Sequence, residues 1–155
     1  MKTVRNWGNT PAVRSNLIPF HTIEQLREII VNSKATIPRG MGRSYGDSGL
    51  NDMIISTQEF NQISSFDSKT GQLICESGVT FETIINKVLP KGWFLPVTPG
   101  TKFVSVGGAI SANVHGKNHH VHGSLIHHVI YIDVMLCDGS IIRASKNNNQ
   151  DLFYN

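Results

Sequence analysis

The amino-acid sequence predicts an α+β fold. Two helical patterns and several short strand patterns follow one another in mixed order, whereas regular alternation would predict a parallel sheet covered by helices. Hydrophobic residues make up 39% of the 155 residues and charged residues 16%, a composition typical of a folded domain. A domain of this size buries roughly 70% of its unfolded surface, so a substantial core is expected.

The first half of the chain supplies one helix and three strand patterns. Thr22 is a typical N-cap, and apolar residues at helical spacing follow it as far as Ile30. A short apolar stretch then leads into a glycine-rich loop at residues 39–47. Strands are predicted at residues 53–56, 63–66 and 73–76, the last two as a hairpin that turns at residues 69–71.

The second half opens with a helix from Thr80 to Val88, which ends at residues 90–92. The proline-punctuated residues 93–101 predict an extended strand leading into a turn. Small residues at 105–112 predict a short helix, and residues 129–136 and 140–144 predict a hairpin turning at Asp138 and Gly139.

Charge and hydropathy argue against several classes of function. The net charge of +3, without a run of Lys or Arg, argues against a nucleic-acid partner. No window approaches the roughly 18 apolar residues of a transmembrane segment, and residues 1–9 lack the apolar core of a secretory signal. We therefore expect a cytoplasmic protein in which Cys75 and Cys137 are reduced and buried within their apolar runs.

The glycine-rich loop does not fit the standard nucleotide motifs. Gly40, Gly42 and Gly46 miss the dinucleotide fingerprint by one residue, and neither a helical pattern nor Gly-Lys-Ser/Thr follows them. Successive backbone N–H groups in such a loop can still form an anion-binding concavity, to which residues 43–45 would add side-chain donors. A glycine-rich surface turn explains the loop equally well.

A second glycine-rich segment favours the anion-binding interpretation of the loop over the surface turn. A helix beginning at Gly107 and Gly108 would direct free N–H groups and its positive dipole end at an anion, near residues 99–101. The alternative is tight packing of a small-residue helix against a sheet. Two separated anion sites in one small chain suit a pyrophosphate that bridges two lobes.

Six of the seven histidines lie between residues 115 and 128, so a metal site has to be considered. Gly116 should break any helix that would align His115 with His119, and the metalloprotease pattern His-Glu-x-x-His is absent. We therefore expect no metal site. Lys117, in the same turn, would stabilise negative charge that develops on a ring or a substrate oxygen.

These segments carry a family resemblance over about residues 5–154. Residues 38–47 (PRGMGRSYGD) resemble the first FAD pyrophosphate loop of the vanillyl-alcohol-oxidase superfamily, whose FAD-binding domain is of the PCMH type. Residues 99–110 resemble its second flavin-binding segment. Residues 114–120 (VHGKNHH), followed by Gly123 and Ser124, are similar to the decaprenylphosphoryl-β-D-ribose 2′-oxidases within it.

The resemblance implies a PCMH-type domain built from two small α+β subdomains, at residues 1–95 and 96–155. It implies non-covalent FAD, because Arg43 stands where many relatives attach FAD through a histidine. It implies His115 and Lys117 as residues that face flavin and substrate. Together with the glycine-rich segments it predicts FAD contacts at Arg39, Gly40, Met41, Gly42, Arg43, Ser44, Tyr45, Pro99, Gly100, Thr101, Gly107, Gly108, Ala109, His115, Gly116, Asn118 and His119.

The expected function is that of the FAD-binding portion of an oxidoreductase that oxidises a sugar or polyol hydroxyl to a carbonyl. Family members are usually about three times this length. We therefore expect that the domain is truncated at its C-terminus, that the substrate domain is absent, and that the chain is inactive alone. The alternatives are half of a split enzyme, or an inactive remnant or interaction module whose unfinished sheet binds a second chain or associates with itself.

Overall fold

The computed structural model describes residues 1–154. Its largest sheet runs in the spatial order β1-β2-β4-β3, with β1 antiparallel to β2 and β4 parallel to both β2 and β3. These strands are β1 (Lys2–Arg5), β2 (Ala12–Pro19), β3 (Ile37–Arg39) and β4 (Met53–Ser56). Helix α1 (Ile23–Val31) connects β2 to β3.

A hairpin and a helix complete the first half of the chain. Strands β5 (Ile63–Phe66) and β6 (Leu73–Cys75) pair in antiparallel fashion, and helix α2 (Phe81–Val88) follows them. Both predicted helix starts are confirmed, because the hydroxyls of Thr22 and Thr80 accept hydrogen bonds from backbone N–H groups of their helices.

Within the described residues, the second half contains three short α-helices, a 3₁₀ helix at Leu125–His128 and one more hairpin. Strands β7 and β8 pair in antiparallel fashion on either side of Gly139. The φ of Gly139 is 80°, a conformation that favours glycine, and the predicted turn at Asp138 and Gly139 is confirmed. The elements are α3 (Val106–Ser111), α4 (His119–His122), β7 (Tyr131–Met135), β8 (Ile141–Ser145) and α5 (Gln150–Tyr154).

Two sequence-based expectations need correction, and one hairpin was missed. Residues 93–101 form no strand, and Pro96 and Pro99 lack the backbone N–H that ladder pairing needs. The sequence analysis did not predict the β1–β2 hairpin, in which only Val4 and Ser15 are buried. Cys137 is exposed rather than buried, because it lies at the hairpin turn beyond the end of β7.

Small apolar clusters hold the fold together. One contains Val79, Ile84 and Val88, and another joins Phe81 of α2 to Ala109 and Leu125. A third contains Ile126, Ala144 and Phe153. The second cluster fixes the start of α3 against α2, and this packing positions the segment that carries Gly107 and Gly108.

No helix within residues 1–154 combines the length and the apolar character that crossing a membrane would require.

Candidate functional site

The glycine-rich loop leaves β3 at Arg39 and turns at glycines with positive φ. The φ angles of Gly42, Gly46 and Gly49 are 64°, 58° and 75°, in the left-handed region that other residues rarely adopt. At Gly42 a Cβ would also overlap the guanidinium of Arg39. The backbone conformation therefore requires glycine at this position, and a side chain there would also displace the Arg39 guanidinium.

The predicted side-chain donors of the loop project into solvent. Arg43, Ser44 and Tyr45 are exposed, and the Tyr45 ring packs edge-on against Trp7 with 5.4 Å between ring centroids. The backbone N–H of Trp7 donates to the Ser44 carbonyl at 3.2 Å. The tip of the loop is thus fastened to the turn after β1, while its polar side chains remain available to a ligand.

Asn6, beside Trp7, is a site residue that the sequence analysis missed. Its Nδ2 donates to the carbonyls of Gly46 at 3.0 Å and Ser48 at 2.6 Å, and its Oδ1 accepts a hydrogen bond from Arg39. Asn6 differs from an ordinary surface asparagine because its side chain is buried. The sequence alone does not reveal that a polar residue just after a short strand is buried.

Arg39 places a positive charge beneath the loop. Besides Asn6, its guanidinium donates to the carbonyls of Arg5 at 2.7 Å and Gly49 at 3.5 Å, so all its acceptors are neutral. No carboxylate pairs with Arg39 among residues 1–154. Burial lowers the pKa of the guanidinium from its usual value, yet this group stays protonated at neutral pH. A partly buried cation without a counter-ion favours an anion nearby.

The start of α3 differs from the expectation of free N–H groups aimed at an anion. The first two helical N–H groups donate instead to backbone carbonyls, Val106 to Val79 and Gly107 to Ser77, both at 2.8 Å. A Cβ at Gly107 would lie 2.8 Å from the Ser77 Cβ, so this glycine serves close packing. Gly108 is exposed, and the Ala109 side chain lies in the core.

The structure brings the separate predicted segments together. Gly40 lies against Ser105, the N-cap of α3, so closely that a Cβ on Gly40 would overlap the serine hydroxyl. Gly116 lies against residue 98 in the same way, because its Cβ would lie 2.7 Å from the Thr98 carbonyl oxygen. The glycine loop therefore meets the start of α3, and the histidine-containing turn meets the segment before Pro99.

The turn at residues 115–119 combines exposed polar groups with a fixed backbone. The Asn118 side chain donates to the Pro96 carbonyl at 3.0 Å, and the rings of His115 and His119 are in contact, with centroids 5.1 Å apart. Lys117 is exposed, and its ammonium group has no ion-pair partner within the described part of the chain. Residues 1–154 contain no group of three or more side chains placed to hold a metal ion.

A pocket of about 280 Å³ lies beside the predicted residues 99–101. Its wall is partly aromatic, and the exposed Phe94 offers a flat apolar surface there. The lining residues are Phe81, Ile85, Phe94, Thr98, Pro99, Gly100, Thr101 and Lys102. A larger groove of about 490 Å³ lies elsewhere, between residues 127–131 and 143–147, and contains none of the predicted site residues.

Residues 17–145 match the sequence profile of the family described as "FAD binding domain". The chain belongs to this FAD-binding family. The α+β fold and the family resemblance predicted from the sequence are thereby confirmed.

Curated relatives of this FAD-binding domain include oxidases and dehydrogenases. The chain is 32% identical over 161 residues to decaprenylphosphoryl-beta-D-ribose oxidase of Mycolicibacterium smegmatis, covering 99% of this chain and 35% of that protein. It is 32% identical over 138 residues to a probable mitochondrial D-2-hydroxyglutarate dehydrogenase of Oryza sativa, covering 81% of this chain and 24% of that protein. The chain thus spans about a third or less of the length of these relatives.

Solved structures share the fold of this chain at lower sequence identity. A xylooligosaccharide oxidase from Myceliophthora thermophila C1, in complex with xylobiose, matches with a TM-score of 0.77 and 22% identity, over 91% of this chain and 32% of that one. BBE-like 1 of Physcomitrella patens, variant D396N, matches with a TM-score of 0.77 and 18% identity, over 89% of this chain and 31% of that one.

Proposed function

We propose that this FAD-binding domain serves an oxidoreductase that converts a sugar or polyol hydroxyl to a carbonyl, with FAD held non-covalently. The observation that carries the proposal is the glycine loop above the Arg39 guanidinium, which pairs with no carboxylate among residues 1–154. A diphosphate is the anion that such a loop suits, because backbone N–H groups and a nearby cation share its charge. The sugar substrate follows the names of the ribose and xylooligosaccharide oxidases.

The residues present fit FAD at both of its ends. Gly40, Gly42 and residues 43–45 would hold the diphosphate, since Gly42 has no room for a side chain and Arg43 adds a second exposed cation. Residues 99–101 line an apolar pocket, and Gly108 is exposed at α3. We assign the flavin contacts to these residues together with His115, Gly116, Asn118 and His119.

The chemistry divides between cofactor and protein. When bound, FAD would supply the acceptor for the hydride that leaves the alcohol carbon, and a base of the intact enzyme would take the hydroxyl proton. Lys117 carries an exposed ammonium group and would stabilise negative charge on the substrate oxygen, while His115 beside it would orient the hydroxyl by hydrogen bonding. The intact enzyme would also need a substrate domain, for which this chain supplies no assigned residues.

The composition of the loop supports non-covalent attachment. Residues 39–47 contain no histidine, and Arg43 occupies the position that the resemblance assigns to the linking side chain. Acid precipitation of the flavin-loaded chain should therefore release all of the FAD into the supernatant. Flavin that stays with the precipitated protein would contradict the assignment.

The proposed function is tested by adding FAD to the purified chain and recording the visible spectrum after the excess is removed. Retained flavin bands in a near 1:1 ratio with protein are expected. A folded chain that retains no flavin would reject the proposal. Addition of ADP, which shares the diphosphate but lacks the flavin ring, should compete for the same loop.

A second candidate role is that of an interaction module or one half of a split enzyme. Among the described residues, β7 and β8 pair only with each other, so each strand presents an unpaired edge. Ile130, just before β7, and Ile141, the first residue of β8, are 59% and 41% exposed. Sedimentation velocity at several concentrations tests self-association, and a monomer at all of them would exclude it.

A further inference from the structure

We propose that Asn6 is a positioning residue of the flavin site, which shapes the glycine loop for the diphosphate through a clasp with Arg39. The clasp is the set of hydrogen bonds that joins Asn6 to Arg39 and to the loop carbonyls. The inference rests on the proposed function, because it concerns the same loop. It assigns a role to the N-terminal hairpin, which contains none of the predicted flavin contacts.

The chemistry of the asparagine amide fits this clasp on every side. Asn6 is 3% exposed, so each of its polar atoms needs a partner within the protein. The carbonyls of Gly46 and Ser48 only accept hydrogen bonds, and the Arg39 guanidinium only donates them. The amide therefore has one consistent orientation, with Nδ2 toward the loop and Oδ1 toward Arg39.

The loop needs such an anchor because, apart from the contacts of Trp7 with Ser44 and Tyr45, few contacts restrain its tip. Its residues 43–48 are exposed, and the Cβ position of Gly46 has no neighbour within 4 Å. Glycine-rich chain of this kind loses much conformational entropy when it is ordered. A loop that is ordered before the ligand arrives binds more tightly, because the ligand does not have to supply that ordering free energy.

The clasp also fixes the cation beneath the loop. Arg39 approaches Gly42 so closely that a Cβ there would overlap the guanidinium. Without Asn6, Arg39 would lose its side-chain acceptor and would keep only carbonyl acceptors. One asparagine thus sets both the path of the loop backbone and the place of its positive charge.

Three variants of the full chain separate positioning from general stability. Asn6→Ala removes the clasp. Asn6→Asp keeps an acceptor for Arg39 but turns the donor into an acceptor that faces two carbonyls. Val4→Ala, at the buried position of the adjoining strand β1, is the matched control for lost stability. Each is measured for FAD affinity by fluorescence titration, for urea unfolding, and for amide hydrogen exchange of residues 41–50.

Both Asn6 variants should weaken FAD binding at least tenfold, about 1.4 kcal/mol, and should speed exchange in the loop. Val4→Ala should lower the urea midpoint and leave FAD affinity within about twofold of wild type. Faster loop exchange with unchanged FAD affinity would overturn the positioning role and leave the proposed function intact. Unchanged loop exchange in Asn6→Ala would overturn the clasp itself.

A wild-type chain that binds no FAD would reject the proposed function and, with it, a positioning role for Asn6. Loop exchange, measured without any ligand, would still report whether Asn6 orders the loop. The two failures are therefore distinguishable in the same set of measurements.

Discussion

Gly107 and Gly108 show how neighbouring residues of one type serve different purposes. A side chain on Gly107 would collide with Ser77, whereas the nearest atom to a Cβ on Gly108 is the Ser105 hydroxyl oxygen at 3.2 Å. Gly107 is therefore needed for packing between α3 and the segment before α2. A Cβ on Gly108 would meet only this one serine hydroxyl, which can rotate away, so packing demands glycine less strictly there than at residue 107.

Gly108→Leu should therefore abolish FAD binding without unfolding the chain. Leucine has a higher helix propensity than glycine by roughly 0.5–1 kcal/mol, which offsets minor crowding at Ser105. A flavin titration and a urea unfolding curve on the same preparation measure the two effects. Ala35→Leu, an exposed change outside the site, is the control. Normal flavin affinity in Gly108→Leu would remove residue 108 from the proposed site.

The two cysteines should differ strongly in reactivity. Burial and the neighbouring Glu76 carboxylate raise the pKa of the Cys75 thiol to about 11, while Cys137 is exposed at a turn. Since the thiolate is the reactive form, a disulfide reagent at pH 8 should modify Cys137 quickly and Cys75 only after unfolding. Cys137→Ser should remove the fast phase, and a fast phase that survives in this variant would contradict the assignment.

At the scale of elements, strong local signals were readable from the sequence and context-dependent ones were not. Helices α1 and α2 and hairpins β5–β6 and β7–β8 carry periodic apolar residues, threonine caps or glycine turns. The β1–β2 hairpin lacks such periodicity. Residues 93–101 are apolar because they cover neighbouring clusters, and their prolines exclude the strand that their composition suggests.

In the candidate site, too, local features could be predicted from the sequence and long-range contacts could not. The glycine loop was visible because glycine spacing is a local feature. The role of Asn6 was not visible, because its partners Gly46 and Ser48 lie 40 and 42 residues away along the chain. The N–H groups at the start of α3 were expected to be free, and only the tertiary contact with residues 77–79 shows that they are satisfied.

The β7–β8 hairpin carries an ion pair with a definite pH signature. Arg143 donates two hydrogen bonds to Asp133 and stacks on the Tyr131 ring. These hydrogen bonds, with the charge of Arg143, hold the pKa of Asp133 below its usual value. A depressed folded-state pKa adds stability that is present above the unfolded-state pKa, roughly 4, and is lost as the pH falls through the folded-state value.

Asp133→Asn should therefore be less stable than wild type at pH 7, by a few tenths of a kcal/mol up to about 1 kcal/mol because the pair is exposed. The difference should shrink as the pH falls from about 4 toward 2, since wild-type Asp133 then becomes protonated as well. Urea unfolding at several pH values measures it. Glu28→Gln, which removes an exposed carboxylate without an ion pair, should not reproduce this pattern.

For the whole molecule, the question is whether residues 1–95 and 96–155 act as separate subdomains. Backbone hydrogen bonds join residues 77–82 to residues 102–107 across that boundary. The cluster of Phe81, Ala109 and Leu125 also spans it, and Arg27 of α1 donates to the Gly139 carbonyl at 2.9 Å. These contacts couple the two parts, and the proposed flavin site draws residues from both.

The chain should consequently unfold in one cooperative transition. Hydrogen exchange measured peptide by peptide across a urea series should give one midpoint for peptides on either side of residue 95. FAD at about one hundred times its dissociation constant should stabilise both sides together, by about 2.7 kcal/mol. Gly108→Leu should keep the single midpoint and lose the shift. Two midpoints in wild type, with FAD moving only one of them, would mean that one subdomain alone binds the flavin.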